Sequence, residues 1–288
     1  MTCILTIGNS FAENATRYIP QLLAAAGDSD LVIGKANLGG CSLEKHWNLV
    51  EQCAQLPDVN PYWLRYAGDG PEAQQVTLRE ALAAQTWDFV TLQQVSHDSW
   101  RPETYQPHFD NLLALVRECA PGAQPVVHQT WAYRSDALFF EEHGIDQAMM
   151  HERLVAAYDA VAAKHGLRII PSGDAFRRAR LQLGFTPDES FDYEHAVPLA
   201  LPDQSRALIT GYHWRTGNTP SGKAELHQDY RHGNALGCYL AGAVWFEMFT
   251  GIEASAVPFR PDDISEEELG ILHAAAHEAV VENGGPIT

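Results

Sequence analysis

MTCILTIGNSFAENAT, residues 1–16, contains a short apolar run, Cys3–Ile7, that passes directly into Gly8-Asn9-Ser10. The run predicts a buried strand, and a helical pattern begins soon after Ser10. Gly8 allows the chain to turn sharply at this point. Because sites in open α/β sheets form at the carboxyl ends of strands, Ser10 is a candidate nucleophile.

Strand and helix alternate through most of the remaining chain. Five continuous apolar runs predict strands that are buried on both faces, as in a parallel sheet. These runs are Cys3–Ile7, Leu31–Leu38, Phe89–Gln93, Pro125–Gln129 and Leu167–Ile170. Helical patterns cover Thr16–Ala26, Leu43–Cys53, Leu78–Gln85, Tyr105–Cys119, Ile145–His165, Gly173–Leu183, Asn234–Thr250 and Ser265–Glu282. The alternation predicts a doubly wound α/β sheet with right-handed crossovers, in a single domain of residues 1–288.

Residues 185–228 show no strong periodicity and are rich in Pro, Asp, His and aromatic side chains. A loop of this length is usually functional or disordered, and we expect an ordered lid or site wall here. The side chains that would suit a polar substrate are Tyr193, His195, Tyr212, His213 and Trp214. The alternative is that this segment packs on the sheet and contacts no substrate.

The amino-acid composition argues against several classes of binding partner. The 288 residues carry a net charge of −18, which argues against nucleic acid and anionic membranes, since both require a basic surface. Five widely spaced cysteines without a C-x-x-C pair predict neither a disulfide framework nor a zinc site. No apolar stretch approaches about 18 residues and no signal-like pattern opens the sequence, so we expect a cytoplasmic protein.

A serine nucleophile needs a general base, and His232 is the best placed of the 13 histidines. It lies three residues after Asp229, just before the helical pattern at Asn234–Thr250. In a turn, this D-x-x-H spacing lets the carboxylate accept a hydrogen bond from the imidazole, as a Ser-His-Asp triad requires. The alternative is a loop ion pair and helix cap without a catalytic role.

Several sequence blocks fall at predicted strand ends in a characteristic order. They are Ile7-Gly8-Asn9-Ser10-Phe11, Gly39-Gly40-Cys41-Ser42-Leu43-Glu44, Leu92-Gln93-Gln94-Val95-Ser96, Thr130-Trp131-Ala132-Tyr133, Ile170-Pro171-Ser172-Gly173 and Asp229-Tyr230-Arg231-His232. Together they resemble the SGNH hydrolase (GDSL-like esterase/lipase) superfamily, and within it a branch described as a domain of unknown function. The resemblance extends over roughly residues 4–251.

The resemblance implies a three-layer α/β/α, flavodoxin-like fold with a parallel central sheet, and a serine esterase that needs no metal or cofactor. It implies that Ser10 is the nucleophile and one oxyanion donor, His232 the base and Asp229 its partner. Gly40, or less favourably Gly39, would give a second backbone N–H. The branch of the superfamily suggests a short acyl group, such as acetyl, on a carbohydrate or other small molecule.

One block departs from the superfamily pattern, in which an Asn after the third strand supplies the third oxyanion donor. This chain has Gln93 and Gln94 there, and an amide on a longer arm offers the same N–H. Strand alternation sends neighbouring side chains to opposite faces, so we expect only one of the two to reach the site.

Other interpretations remain open at this point. His128 and Trp131, after the fourth predicted strand, are either walls suited to sugar stacking or core residues. Ser172 is a rival nucleophile or the N-cap of the helix that follows. His227, Asp229 and His232, with His195 or His213, offer nitrogen and oxygen ligands for a metal-dependent hydrolase. A non-catalytic carbohydrate-binding or small-molecule-binding protein on the same fold is the third alternative.

Overall fold

A computed structural model of the chain describes residues 1–27, 30–68, 71–216 and 222–287. Within these residues, the strands of the central sheet are β1 (Thr2–Ile7), β2 (Leu31–Lys35), β3 (Tyr62–Tyr66), β4 (Gln74–Val76), β5 (Phe89–Leu92), β6 (Gln124–His128) and β7 (Arg168–Ile170). A separate hairpin consists of β8 (Ile209–Arg215) and β9 (Glu225–Gly233). The α-helices are α1 (Ser10–Ala15), α2 (Ile19–Ala26), α3 (Leu43–Gln55), α4 (Leu78–Ala83), α5 (His108–Cys119), α6 (Phe139–His143), α7 (Gln147–His165), α8 (Ser172–Leu183), α9 (Ala235–Thr250) and α10 (Glu266–Glu282).

The central sheet has the order β4-β3-β2-β1-β5-β6-β7, and its five strands from β2 to β7 are parallel. Counted among themselves, these five follow the 2-1-3-4-5 order of flavodoxin-like folds. The doubly wound α/β fold predicted from the sequence is confirmed. In this topology the strand order reverses between β1 and β5, and ligands bind at the carboxyl ends of the strands at such a point. Ser10 follows β1 there.

The edge of the sheet beyond β2 differs from the prediction. Strands β3 and β4 are antiparallel additions, where the sequence predicts only parallel strands. In β3, Tyr62 and Leu64 are buried whereas Trp63 and Arg65 are exposed. This alternation is typical of a strand with one solvated face, and a search for continuous apolar runs does not detect it.

Helices cover both faces of the sheet, which gives the predicted three layers. On one face α9 packs against α1, α2, α8 and α10, and on the other α5 packs against α3 and α4. Residues 235–249 of α9 are almost all buried, and Asn234 caps the helix by accepting the amide of Gly237. The predicted helix at Thr16–Ala26 begins later, at Ile19, because Pro20 favours a helix start. None of the described helices is long and apolar enough for a bilayer crossing.

The segment predicted to be irregular, residues 185–228, contains regular structure. Strand β8 and the beginning of β9 lie within it, so the prediction is wrong for those stretches. Every residue of β9 from Glu225 to His232 is half-buried, so no run of apolar residues marks the strand. Residues 217–221 of the segment lie outside the described residues.

Candidate active site

Ser10 is held at the carboxyl end of β1 by a tightly packed turn. Asn9 caps α1, with its Oδ1 accepting the amide of Phe11 at 3.1 Å. The amide Nε2 of Gln93, from the end of β5, donates to the same oxygen at 3.2 Å. A Cβ on Gly8 would lie 2.5 Å from Gln93 Oε1, so this position has no room for a side chain. The turn therefore fixes the backbone from which the Ser10 hydroxyl projects.

His232 and Asp229 reach Ser10 from β9, near the opposite end of the chain. Ser10 Oγ lies 2.7 Å from His232 Nε2, and His232 Nδ1 lies 2.8 Å from Asp229 Oδ2. Since a carboxylate only accepts hydrogen bonds, Nδ1 carries the proton and Nε2 is free to accept from the serine hydroxyl. The structure thus brings the three residues together in one hydrogen-bonded chain. Asp229 and His232 lie in strand β9, not in the loop or turn that the sequence predicts.

The Asp229 carboxylate is fixed by three hydrogen bonds. Besides the imidazole, the amides of Arg231 and His232 each donate to its Oδ1 at 3.1 Å. Partial burial by itself would raise the pKa of Asp229, but these hydrogen bonds, chiefly that from the His232 ring, outweigh it and hold the pKa well below its ordinary value. Asp229 is therefore ionised at neutral pH and keeps the imidazole in one orientation.

A local irregularity in the hairpin places the Asp229 side chain where it can hydrogen-bond the His232 ring. Asp229 pairs with Gly211, and the register of β8 and β9 shifts between Ile209 and Gly211. Gly211 has φ of 70°, a left-handed conformation that favours glycine. A Cβ there would also lie 2.1 Å from a guanidinium nitrogen of Arg134. Bulges of this kind commonly redirect side chains next to active sites.

Two contacts join the half of the site that carries Ser10 to the strand that carries His232. Asn14 of α1 accepts the amide of Gly233 at 2.9 Å, across 219 positions of sequence. Trp131 Nε1 donates to the carbonyl of Arg231 at 3.0 Å. The sequence does not predict this role of Asn14, because an Asn within a short helix carries no signal for a long-range partner.

Trp131 and His128 do not form the predicted substrate wall, and that expectation is wrong, because both side chains are fully buried. The Trp131 ring lies between Phe11 and Phe176, with centroid distances of 4.4 and 4.3 Å. It therefore supports Ser10 and His232 from behind.

His128 is a core residue paired with the rival nucleophile Ser172. Its Nε2 lies 3.2 Å from Ser172 Oγ, and its ring packs edge-on against Trp245. Burial lowers the pKa of His128 to about 3, so this imidazole is neutral. Ser172 has no exposed surface and is the first residue of α8, with Pro171 at the cap position. The second serine–histidine pair is therefore inaccessible to substrate.

Backbone donors flank Ser10 on one side. The turn after β2 is closed by the amide of Cys41 donating to Leu38, and the Asn9 side chain donates to the carbonyl of Cys41 at 3.1 Å. Gly39 and Gly40 at the tip of this turn are exposed. Their amides, and that of Ser10, donate no hydrogen bond within the described part of the chain. They are available to a ligand oxygen.

The two glutamines do not fit the expected third donor. Both amide hydrogens of Gln94 are used by Thr104, and its Oε1 accepts the amides of Leu43 and Val95. Gln94 therefore ties loops together, and its prediction as an oxyanion donor is wrong. Gln93 is 1% exposed and donates to Asn9, so it supports the nucleophile turn from inside.

The alternative metal site is not formed. Among the described residues, no three His, Cys, Asp or Glu side chains converge as a metal centre would need. His213 faces His227 across the hairpin with ring centroids 5.2 Å apart, and His195 pairs with Asp192 on the surface. His232 is held by Ser10 and Asp229 instead.

Residues 3–194 match a family model described as a domain of unknown function, DUF4886. The chain belongs to the DUF4886 family. The matched region of this DUF4886 chain contains Ser10, Gly40 and Gln93 but ends before Asp229 and His232.

Solved structures extend the comparison to the whole chain. A crystal structure of a DUF4886 family protein from Bacteroides uniformis is 27% identical, aligns over 99% of this chain and 96% of the other, and has a TM-score of 0.74. A candidate SGNH hydrolase from Slackia heliotrinireducens is 21% identical over 85% of this chain and 97% of its own, with a TM-score of 0.51. The DUF4886 chain has the SGNH hydrolase fold, as its sequence blocks imply. No curated protein matches it.

Proposed function

We propose that this DUF4886 protein is a serine hydrolase that cleaves carboxylic esters through Ser10, His232 and Asp229. The observation that carries the proposal is the hydrogen-bonded chain from Ser10 Oγ to His232 at 2.7 Å and on to Asp229 at 2.8 Å. Nucleophile and base within hydrogen-bond reach, with the base oriented by a third group, are the signature of an activated serine. The SGNH hydrolase fold supports the same reaction class.

The reaction proceeds in two halves. Ser10 Oγ attacks the ester carbonyl carbon while its proton passes to His232 Nε2, and the carbonyl oxygen becomes an oxyanion. The imidazolium then protonates the leaving alcohol oxygen as the C–O bond breaks, which leaves an acyl-serine. Water attacks this acyl group, again with His232 as base, and the acid is released with Ser10 restored.

The oxyanion would be stabilised by backbone amides. The free N–H groups of Ser10 and Gly40 are the proposed donors, because the turn that carries Gly40 is hydrogen-bonded to Asn9. Such donors act strongest when they are fixed in advance, and removing one typically costs about 10²–10³ in kcat. Gln93 contributes by holding Asn9, one residue before the nucleophile.

The proposed substrate is a small ester with a short acyl group, such as acetyl on a carbohydrate. The side chains of His232 and Asp229 remain 35% and 25% exposed, so the site opens to solvent. A long acyl chain gains its affinity from burial, at about 0.8 kcal/mol per CH₂, which an open site does not provide. A polar alcohol portion can remain hydrated at such a site.

The proposal is tested by hydrolysis of p-nitrophenyl acetate with purified wild type, Ser10→Ala and His232→Ala, each with and without chelator. We expect kcat/KM to fall by about 10³-fold or more in both variants, with no effect of the chelator. A fluorophosphonate probe should label the wild type and not Ser10→Ala.

Ser172→Ala is the matched control, because Ser172 also pairs with a histidine but is buried. It should retain activity and labelling. Full activity in Ser10→Ala would refute the mechanism. Sensitivity to chelator would favour a metal-dependent hydrolase, and an unreactive wild type would favour a non-catalytic binding protein.

A further inference from the structure

A cavity lies behind the aromatic residues that support Ser10. It has a volume of about 180 Å³ and is lined by residues of α8, by Gln147 of α7, by the residues that follow β6 and by those that lead into β8. Arg134, Arg180 and Arg206 line it, together with apolar walls that include Phe185 and Leu208. No Asp or Glu is among the described residues that form its lining.

This cavity is separate from the Ser10 site. Phe11, next to Ser10, packs against Trp131, which stacks on Phe176. The guanidinium of Arg180 lies 5.6 Å from the far ring, that of Phe176. Three aromatic rings therefore stand between the nucleophile and the cavity, and neither Ser10 nor His232 is among its lining residues.

The three arginines differ in how their charge is balanced. Arg206 makes an ion pair with Glu267 at 2.7 Å, and Arg134 makes one with Asp136 at 2.7 Å. Arg180 makes no ion pair among the described residues, and its guanidinium donates to the carbonyl of Ala132 at 2.7 Å. Burial lowers the pKa of Arg180 to about 9, so it stays cationic at neutral pH. A partly buried cation without an anion is costly to keep.

Arg134 adds an unused donor. Its side chain is 1% exposed, and two of its nitrogens donate to Asp136 and Gln204. Its remaining nitrogen, Nη2, is buried and has no hydrogen-bond partner in the described structure. Oδ2 of its ion-pair partner Asp136 is also buried without a partner. Buried polar groups are nearly always paired, so this orphan donor is a candidate partner for an acceptor in the cavity that Arg134 lines.

We propose that this cavity binds a small organic anion, with Arg180 as its charge partner and Arg134 Nη2 as a second donor. Guanidinium groups recognise carboxylate and phosphate oxygens, often through two parallel hydrogen bonds. The apolar walls, with Phe185 lying 4.4 Å over the Arg134 guanidinium, fit a ligand that has a hydrophobic body. The small volume limits that body to roughly one ring or a short chain.

The overall charge of the chain makes the local arginines more significant. At a net charge of −18 the protein repels anions at long range, although salt screens this beyond about 10 Å. An anion would therefore be retained only by close contacts within the cavity. The proposal does not depend on the hydrolytic function, because none of its residues takes part in the proposed reaction.

Isothermal titration calorimetry at about 0.15 M salt tests it, with benzoate and phenyl phosphate as probes and benzyl alcohol as the neutral control. We expect saturable binding of at least one anion at about 1 mM or tighter, and none of benzyl alcohol. Benzoate alone would assign a carboxylate ligand and phenyl phosphate alone a phosphate monoester. Arg180→Met, which keeps the apolar stem, should weaken binding by tenfold or more.

Arg177→Met is the matched control, since Arg177 lies on the same helix but is exposed and outside the cavity lining. It should bind as the wild type does. If circular dichroism shows that Arg180→Met does not fold, Arg206→Met replaces it in the comparison. Arg206 is half-exposed, so its replacement should not disturb the core, and we expect it to weaken binding severalfold. The absence of binding at 20 mM would overturn the proposal. Equal binding of benzyl alcohol, or unchanged affinity in the arginine variants, would do the same.

Discussion

The turn that carries Ser10 follows a central strand of the seven-stranded sheet, whereas the strand that carries His232 belongs to a separate two-stranded hairpin. Around the nucleophile, Asn9 and Gln93 are each only 1% exposed. Along β9, by contrast, residues 225–232 are all half-buried. One half of the candidate site is thus embedded in close-packed core, and the other rests on its surface.

The difference shows how each half is positioned. Packing fixes the turn that carries Ser10, since the space beside Gly8 is filled and Asn9 is hydrogen-bonded on two sides. The strand that carries His232 is fixed by a few directional hydrogen bonds, in which Asn14 accepts from Gly233 and Trp131 donates to Arg231. Changes in the first half should therefore act mainly on stability, and changes in the second mainly on the geometry of catalysis.

The largest expected effect is on the base half. Asp229→Asn should lower kcat for p-nitrophenyl acetate by about 10³–10⁴-fold, because an amide does not hold the imidazole in the required tautomer. Steady-state kinetics measure this. Asp192→Asn is the control, because Asp192 pairs with His195 at the same spacing on the surface and should leave kcat unchanged. Equal activity in both variants would contradict an orienting role for Asp229.

A packing change beside Ser10 should lower the unfolding free energy of the protein. In Gly8→Ala the new Cβ would meet buried Gln93 Oε1 at 2.5 Å, and overpacking of this kind costs about 1–3 kcal/mol of unfolding free energy. Urea denaturation measures the loss. Gly270→Ala, at an open and exposed helical position, should be neutral or slightly stabilising. A Gly8→Ala protein as stable as the wild type would show that this turn yields more readily than its packing suggests.

Lowering the pH should also reduce stability, through a buried histidine next to the turn that carries Ser10. His46 donates from Nε2 to the carbonyl of Gly8 at 3.1 Å and accepts from Tyr62, and burial lowers its pKa to about 4. The unfolded chain takes up this proton near pH 6.5, so the unfolding free energy falls as the pH drops from about 6.5 towards 4. At pH 5 the loss from His46 is about 2 kcal/mol.

Urea denaturation between pH 5 and 7.5 measures that dependence. His46→Gln, which removes the titratable ring but keeps an amide donor and acceptor, should show a shallower pH dependence than the wild type. Tyr62→Phe removes a partner but keeps the imidazole, so it should lower stability without flattening the profile. Identical slopes in the wild type and His46→Gln would refute a neutral buried imidazole at this position.

The smallest expected effect concerns the support of the base. Trp131→Phe keeps a ring between Phe11 and Phe176 but removes the hydrogen bond to Arg231. We expect a loss of about 1 kcal/mol in stability and a severalfold fall in kcat with KM unchanged. Trp87→Phe loses an equivalent bond, to Ala81 at 3.0 Å, far from the hairpin. If kcat falls in both variants, the loss of activity in Trp131→Phe results from general destabilisation and not from the lost hydrogen bond to Arg231.

The sequence predicts the position of Ser10 at a strand end because the signals for it are local. An apolar run followed by Gly-Asn-Ser places Ser10 at a strand end without knowledge of distant contacts. Asp229 and His232 could be named from their spacing, but their strand could not, since β9 is polar and half-buried throughout. The prediction that Gln94 is an oxyanion donor is wrong because the sequence does not indicate the partner of an amide. Gln94 donates to Thr104 instead.

Ser10 and His232 are separated by 222 positions, and this distance has a consequence for protein synthesis. At about 5–20 residues per second, a ribosome needs roughly 10–45 s to add the base after it has added the nucleophile. During that interval the nascent chain has Ser10 but lacks the histidine that the proposed mechanism requires. Under the proposed mechanism the protein is therefore made in a latent form, and it becomes competent only when the strand that carries His232 has emerged and docked.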